Sequence, residues 1–418
     1  MKVLILSNIF PPGFIGGYEL GALDVARHFV QKGHHVAVLT SDYFTDDAGE
    51  LHDLIVERSL ECKYFGPEKQ RGEADHLEAT AINWRNLKRL VSMLSREQPD
   101  LVLAFNLFGI GPFGIIHYLS ALNIPTVLYF MDKFTDGRSI ESYQQVFGKL
   151  TIGPHVRVIG MSDNVLNSVS EVLSDVKRRS VLIPGWVDPP PATTRTVSVD
   201  LRRFVFSSRI SSHKGVDLIL DAARELLAEG VHRFTIDFFG NGRIDELNIR
   251  INQLKLTEFV HYRGVLPKAQ MVEAFGAYDA LLFPTWKFEP FGFVACEAAT
   301  QGCIPVLTTQ AGASEWLIDG VDCIKIEPTV HALKMAMRRV IDIADDELVR
   351  FRQRTADNAR RYFAKSDCMN KIEQECIDLA ASAHADLSDS KLRRQLAAFL
   401  VLSEDWKDRS IRSPITAS

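Results

Sequence analysis

No two of the six cysteines, at 62, 296, 303, 323, 368 and 376, have the C-x-x-C spacing of a metal or redox site. They read as reduced structural thiols of a cytosolic protein. No apolar run approaches the ~20 residues that a membrane-spanning helix needs. The opening MKVLILSNIFPPG is too short in its apolar part for a signal peptide and reads as a first strand. A basic excess is missing too: the net charge of -5 excludes bulk nucleic-acid binding, which needs a cationic surface. The glycine loop after the first strand is not G-x-G-x-x-G, no G-x-x-x-x-G-K-[ST] is present, and no acidic residue closes the strand after the first helix, which disfavours a dinucleotide oxidoreductase. No D-x-D stands at a strand end and no His/Cys/Asp cluster has ligand spacing, so no metal and no cofactor is expected. Internal repeats and low-complexity segments are absent as well.

What is there is a globular composition, 46% apolar and 24% charged, in a chain whose 418 residues predict two domains of roughly 200 residues each. Strand and helix patterns alternate. Strands are predicted at KVLILS, HVAVLT, LVLAF, TVLYF, VRVIG and RSVLIP, with helices at 18–31 and 81–97. GWVDPPPATTRTVSVD (185–200) has linker composition. Strands then resume at FVFSSR, FTIDFFG, FVHYRG, DALLFP, CIPVLTT and DCIKIE, and the chain becomes mainly helical from 328 to about 384. The expected fold class is α/β: two Rossmann-like, doubly wound domains facing each other across a cleft. The expected divisions are 1–185, a linker at 186–202, a second domain at 203–365, a helix over 366–384 that packs back on the first domain, and a tail at 385–418 without an assigned role.

KFEPFGFVACEA (287–298) sets Glu289 and Glu297 eight positions apart around a Pro-Phe-Gly corner. The pattern predicts a helix capped by Glu289, with Pro290 in its first turn and Gly302 past its end. A helix N-terminus offers free N–H groups to an anion, and Gly292 lets a ligand approach the backbone. Glu297 falls about five residues on, roughly 7–8 Å along the axis, about the offset from a diphosphate to the ribose hydroxyls of a nucleotide. The same two carboxylates would also serve as a capping Glu and a partly buried Glu with a local partner. SSRISSHKGVD adds Arg209 at a strand end and Lys214 just before a helix, two cations suited to clamping a diphosphate or, more blandly, to a solvated surface. Gly16 and Gly17 lie between the first strand and the first helix, where backbone amides can cradle an anion.

EPFGFVACEAATQGCIPVLTTQAGASEWLIDG is similar to the E-x7-E segment of the family 4 retaining glycosyltransferases, and SSRISSHKGVDLILDAARELL resembles their R…K-G phosphate clamp. PPGFIGGYE…GHHVAVLT, LIPGWVD, FGNGR and VHYRGVLPKAQMVEAFGAYDALLFPT fall in the family's order, so the likeness spans roughly residues 1–380. The resemblance implies the GT-B fold and a retaining, metal-independent transferase of the hexosyltransferase type. Its donor, a nucleoside-diphosphate sugar, is held mainly by the second domain, and its saccharide or lipid-linked acceptor mainly by the first. It implies that Arg209 and Lys214 bind the diphosphate, Glu289 the transferred sugar and Glu297 the ribose. Phe291, Gly292 and Phe293 would meet phosphates and sugar through the backbone, and Gly16 and Gly17 would meet the donor from the other side. Gly240 of FGNGR and the strand end carrying Arg263 and Val265 would adjoin the nucleotide, the base held largely by main chain. Polysaccharide or glycoconjugate biosynthesis in the cytoplasm is the implied setting.

Two positions depart from the family pattern. Ala104 and Asn106 stand where H-x-H is common, and Met131-Asp132 where His-Asp is common. Asp132 and Lys133 are candidates to supply the missing polar contact; the same residues read equally as a loop carboxylate and a solvated lysine. A catalytically weak sugar-nucleotide binding subunit therefore stays open as a second reading. The helix AINWRNLKRLVSMLSRE sets Arg85, Lys88, Arg89 and Arg96 around Leu87, Leu90, Val91 and Leu94. That arrangement suits peripheral contact with the inner face of a membrane, or simply a helix covering a sheet.

Overall fold

The structure, a computed structural model, describes residues 1–13, 16–43, 51, 53–63, 78–134, 149–190 and 201–382. The tail expected at 385–418 lies outside them. The described chain divides into two compact units, one of Met1–Gly160, Leu166–Val181 and the described residues from Met369, the other of Met161–Val165 and Leu182–Cys368.

The first unit carries strands β1 (Lys2–Leu6), β2 (His35–Ser41), β3 (Ile55–Leu60), β4 (Leu101–Ala104), β5 (Thr126–Phe130), β6 (Val156–Gly160) and β7 (Ser180–Leu182) in the order β3-β2-β1-β4-β5-β6-β7. The pairings from β3 through β6 are parallel. Parallel sheets are covered on both faces, which is why their strands read as continuous apolar runs such as KVLIL and TVLYF. β3 was not expected: IVERSL is an edge strand whose middle residues are only half-buried, so it has no apolar run to announce it.

The helix Trp84–Glu97 is capped by Asn83, whose side chain accepts from the N–H groups of Arg85 and Asn86. Its apolar stripe, Leu87, Leu90, Val91 and Leu94, is buried where the helix packs on β1, β2 and β3. Arg85 pairs with Glu61 at 3.0 Å and Arg96 with Glu57 at 2.6 Å. The covering role therefore accounts for the stripe and for half of the basic face. No helix among the described residues is long and apolar enough to cross a membrane. In the same unit, Glu373 of the helix Lys365–Ser382 accepts from His28 at 2.9 Å and from His34 at 2.8 Å.

The second unit carries β8 (Arg202–Ser207), β9 (Phe234–Phe239), β10 (Val260–Gly264), β11 (Ala280–Phe283), β12 (Ile304–Thr308) and β13 (Ile324–Ile326) in the order β10-β9-β8-β11-β12-β13, again parallel. Phe204, Phe206, Phe234 and Phe238 form part of its core and are fully buried, each contributing about 1.5–3 kcal/mol of transfer free energy. The order reverses direction between β8 and β11. Crevices beyond the C-terminal ends of strands at such a switch point are where ligands of open α/β sheets bind. A buried ion pair, Arg352 with Asp279 at 2.9 Å, sits at the start of β11 and so at the opposite end of the sheet, where it ties the helix Asp345–Tyr362 to the strand.

Candidate functional site

The chain leaves β8 through Ser208 and Arg209. Arg209 is exposed two residues beyond the strand rather than ending it, and makes no ion pair among the described residues. Ile210 then runs beside Gly242, and a short 3-10 turn, Ser212–Lys214, precedes the helix Val216–Ala228. Two glycines permit this path. Gly240 has φ +135°, and a Cβ there would lie 2.0 Å from the carbonyl oxygen of Ser208. Gly215 has φ +81°, and its Cβ would lie 2.3 Å from the carbonyl oxygen of Pro284, so the Lys214 turn can close on the end of β11 only with glycine there. Gly240 is thus accounted for by backbone packing.

From β11 the chain passes Pro284 into a loop bonded to that turn. The Thr285 hydroxyl and the Trp286 N–H both donate to the carbonyl of His213, at 3.1 and 3.2 Å. The expected cap at Glu289 is not formed. The helix spans Phe293–Thr300, its N-cap is Gly292, and Gly302 stands past its end as expected. Glu289 instead makes an isolated parallel bridge with Ala311: its N–H donates to Gln310 O at 3.0 Å, its carbonyl accepts from Gly312 N at 3.0 Å, and Phe291 O accepts from Ala313 N at 2.6 Å. With its backbone engaged in this way, Glu289 projects its carboxylate toward Lys214, whose ammonium donates to Oε2. Both side chains are largely shielded, at 16% and 17% exposure. Phe291 packs its ring on Phe293 and Phe363, leaving only its backbone for a ligand.

Further along the same helix Glu297 is buried, and its Oε1 lies 3.0 Å from the ammonium of Lys268, a mostly exposed side chain. Arg263 bonds Asp237 at 2.9 Å, and the other oxygen of Asp237 accepts from the Tyr278 hydroxyl at 2.8 Å. Burial raises the Tyr278 pKa well above its ordinary value, which keeps the hydroxyl a donor. The Arg263 guanidinium thus already has a protein partner, while Val265 just beyond it is exposed. The local field is positive. Burial, then Lys214, Lys287 and Arg209, hold the His213 imidazole below its ordinary pKa, with Glu289 opposing weakly.

On the first unit, Gly16 is the exposed N-cap of the helix Gly17–Gln31, and its N–H donates to Glu19 at 2.9 Å. The hydroxyl of Tyr18 accepts from the N–H groups of Met131 and Asp132, at 2.7 and 3.1 Å, and so fixes the turn after β5 against the glycine loop. Asp132 is exposed and its Oδ1 accepts from Lys133 N at 2.6 Å, whereas Met131 is buried. Asn106 caps its own turn by accepting from Phe108 N. Sequence reasoning overlooked Tyr18, His213, Lys268, Trp286 and Lys287. Only their adjacency to the singled-out motifs could have pointed to them.

Residues 15–190 match the family described as Glycosyltransferase Family 4, and residues 196–362 match Glycosyl transferases group 1. The chain belongs to the family 4 glycosyltransferases. A glycosyltransferase from Rickettsia africae superposes with a TM-score of 0.68 at 16% identity, over 90% of this chain and 98% of that one. Anabaena HepE, solved with UDP and glucose, gives 0.63 at 18% identity, over 90% and 98%. An uncharacterized 42.6 kDa protein in the cps region of Klebsiella pneumoniae is 23% identical over 385 residues, 87% of this chain and 96% of its own. These neighbours show the GT-B fold for this glycosyltransferase.

Proposed function

We propose that this family 4 glycosyltransferase moves a sugar from a nucleoside diphosphate to an acceptor hydroxyl with retention of anomeric configuration and without a metal ion. The observation that carries the reading is the Lys214–Glu289 pair at the C-terminal ends of β8 and β11, beside the further cations Arg209 and Lys287 that, after burial, lower the His213 pKa. In this reading Arg209, Lys214 and the first amides of the helix Phe293–Thr300 bind the diphosphate and stabilise it as it leaves. Glu289 accepts from hydroxyls of the transferred sugar and Glu297 from the ribose. The bond from the anomeric carbon to the phosphate oxygen breaks, the acceptor oxygen bonds the same face, and the acceptor proton passes to an oxygen of the departing diphosphate. HepE binds UDP and glucose in its crystals, which supports a nucleotide-sugar donor here. A saccharide or lipid-linked acceptor, held mainly by the first unit, and a role in polysaccharide or glycoconjugate assembly at the cytoplasmic face complete the reading.

The buried thioether of Met131 favours a second reading, a binding subunit with little turnover, because it offers neither a hydrogen bond donor nor a titrating group beside Asp132. A thermal-shift screen of nucleotide sugars, followed by donor hydrolysis assays, separates the two. A ligand at 100 times its dissociation constant stabilises the fold by about 2.7 kcal/mol. Hydrolysis of the stabilising donor supports the enzyme. Stabilisation without turnover across acceptors supports the subunit, and no stabilisation by any nucleotide sugar overturns both.

A further inference from the structure

Of the four described tryptophans only Trp286 is exposed, at 43%. It is nonetheless held in place. Its indole N–H donates to Ser212 O at 2.7 Å and its backbone N–H to His213 O at 3.2 Å, so both its donors are engaged by the turn that carries Lys214. What remains open is the aromatic surface that the ammonium of the next residue does not cover. The next residue, Lys287, is also exposed, with its ammonium 5.3 Å from the indole centroid. Exposure rises steadily along this loop, from buried Gly292 through half-buried Glu289 to exposed Trp286 and Lys287.

We infer that Trp286 is the stacking platform for the sugar ring of the acceptor, with Lys287 donating to that ring's hydroxyls. The inference rests on the proposed function, which puts the transferred sugar at Glu289; the ring next outward along the loop is then the one receiving it. An indole face carries partial negative charge, and the C–H face of a pyranose presents partial positive charge and little else. A plate whose polar edge is already bonded can meet such a face without leaving a donor unpaired. Its fixed rotamer also means little side-chain entropy is lost on contact.

The test compares the full chain with Trp286→Ala and Trp286→Phe, using p-nitrophenyl α- and β-glycosides of gluco, galacto and manno configuration as acceptors. UDP affinity is measured alongside by calorimetry. Trp286→Ala should raise the acceptor KM about tenfold with a smaller change in kcat, and Trp286→Phe should recover most of it, while UDP affinity stays within about twofold. An unchanged acceptor KM overturns the inference. So does a loss of UDP affinity matching the change in KM, since Trp286 would then only brace the Lys214 turn through Ser212. If no glycoside is turned over, acrylamide quenching of wild type against Trp286→Phe decides: protection of Trp286 by a glycoside in the presence of UDP supports the platform, and no protection overturns it. A wild type that binds no nucleoside diphosphate at all sinks the proposed function, and the inference falls with it.

Discussion

Glu289→Gln should push nucleoside diphosphate binding and sugar transfer in opposite directions. In the free protein the Lys214 ammonium is occupied by the Glu289 carboxylate, and both side chains are more than four-fifths shielded from water. A diphosphate arriving at Lys214 meets the carboxylate as a like charge. Two unit charges about 6 Å apart at an effective dielectric of ~20 interact by about 3 kcal/mol. Salt and the neighbouring Arg209 reduce this to the order of 1 kcal/mol, or roughly fivefold in affinity. The amide keeps the shape but not the charge, so UDP should bind roughly fivefold more tightly to Glu289→Gln. Lys214→Ala should act the other way: losing a charge-assisted bond of about 1.5–3 kcal/mol weakens UDP by roughly 10- to 150-fold.

Transfer should fall in both variants. In Glu289→Gln the loss comes from poorer acceptance of the sugar's hydroxyls, so kcat/KM drops at least about tenfold despite the tighter nucleotide. Calorimetry with UDP, GDP and ADP at two salt concentrations, paired with transfer assays on the identified donor, reads both signs. Weakened nucleotide binding by Glu289→Gln, to the extent seen in Lys214→Ala, would refute the reasoning. The carboxylate would then be orienting Lys214 rather than competing for it.

On the proposed reading Arg209 and Lys214 serve the leaving group, so chelation should leave transfer unchanged; activity lost with EDTA and restored only by magnesium or manganese would contradict this. Lys214, Lys287 and Arg209 help keep His213 neutral, and a bound diphosphate counters them, so proton and donor should bind together. Affinity for the nucleotide sugar is therefore expected to rise as pH falls from about 7.5 to about 5.5, and His213→Gln should flatten that slope in calorimetric titrations. Gly215→Ala combines φ +81° with a 2.3 Å approach to Pro284 O and should cost about 1–3 kcal/mol or more in urea unfolding, while removing donor affinity. Tyr18→Phe deprives the Met131 and Asp132 amides of their acceptor and should cost about 1–3 kcal/mol and slow transfer. Met131→Leu, which conserves the volume of a buried side chain, should remain near wild type in both assays.

The legible parts of this glycosyltransferase were those encoded locally. Strands buried on both faces, such as ALLF and IPVLT, announce themselves as apolar runs, and the order of motifs along the chain pointed to two parallel sheets. The half-buried edge strand IVERSL did not. Within the site, Lys214 and Glu289 could each be picked out by type and position. Their bond could not, because it spans 75 positions and exists only since β8 and β11 are neighbours in the sheet. The misplaced helix start has the same origin. A proline at a first-turn position, an acidic residue beside it and an apolar stretch after it are local signals for a helix N-terminus. Yet the backbone of Glu289 and Phe291 is taken by Gln310, Gly312 and Ala313, some twenty positions on, and the helix cannot begin until Gly292. That non-local competition has a chemical consequence. A capping glutamate would spend its carboxylate on the helix's own amides, whereas here the carboxylate faces Lys214 and the amides at Phe293 stay available for an anion.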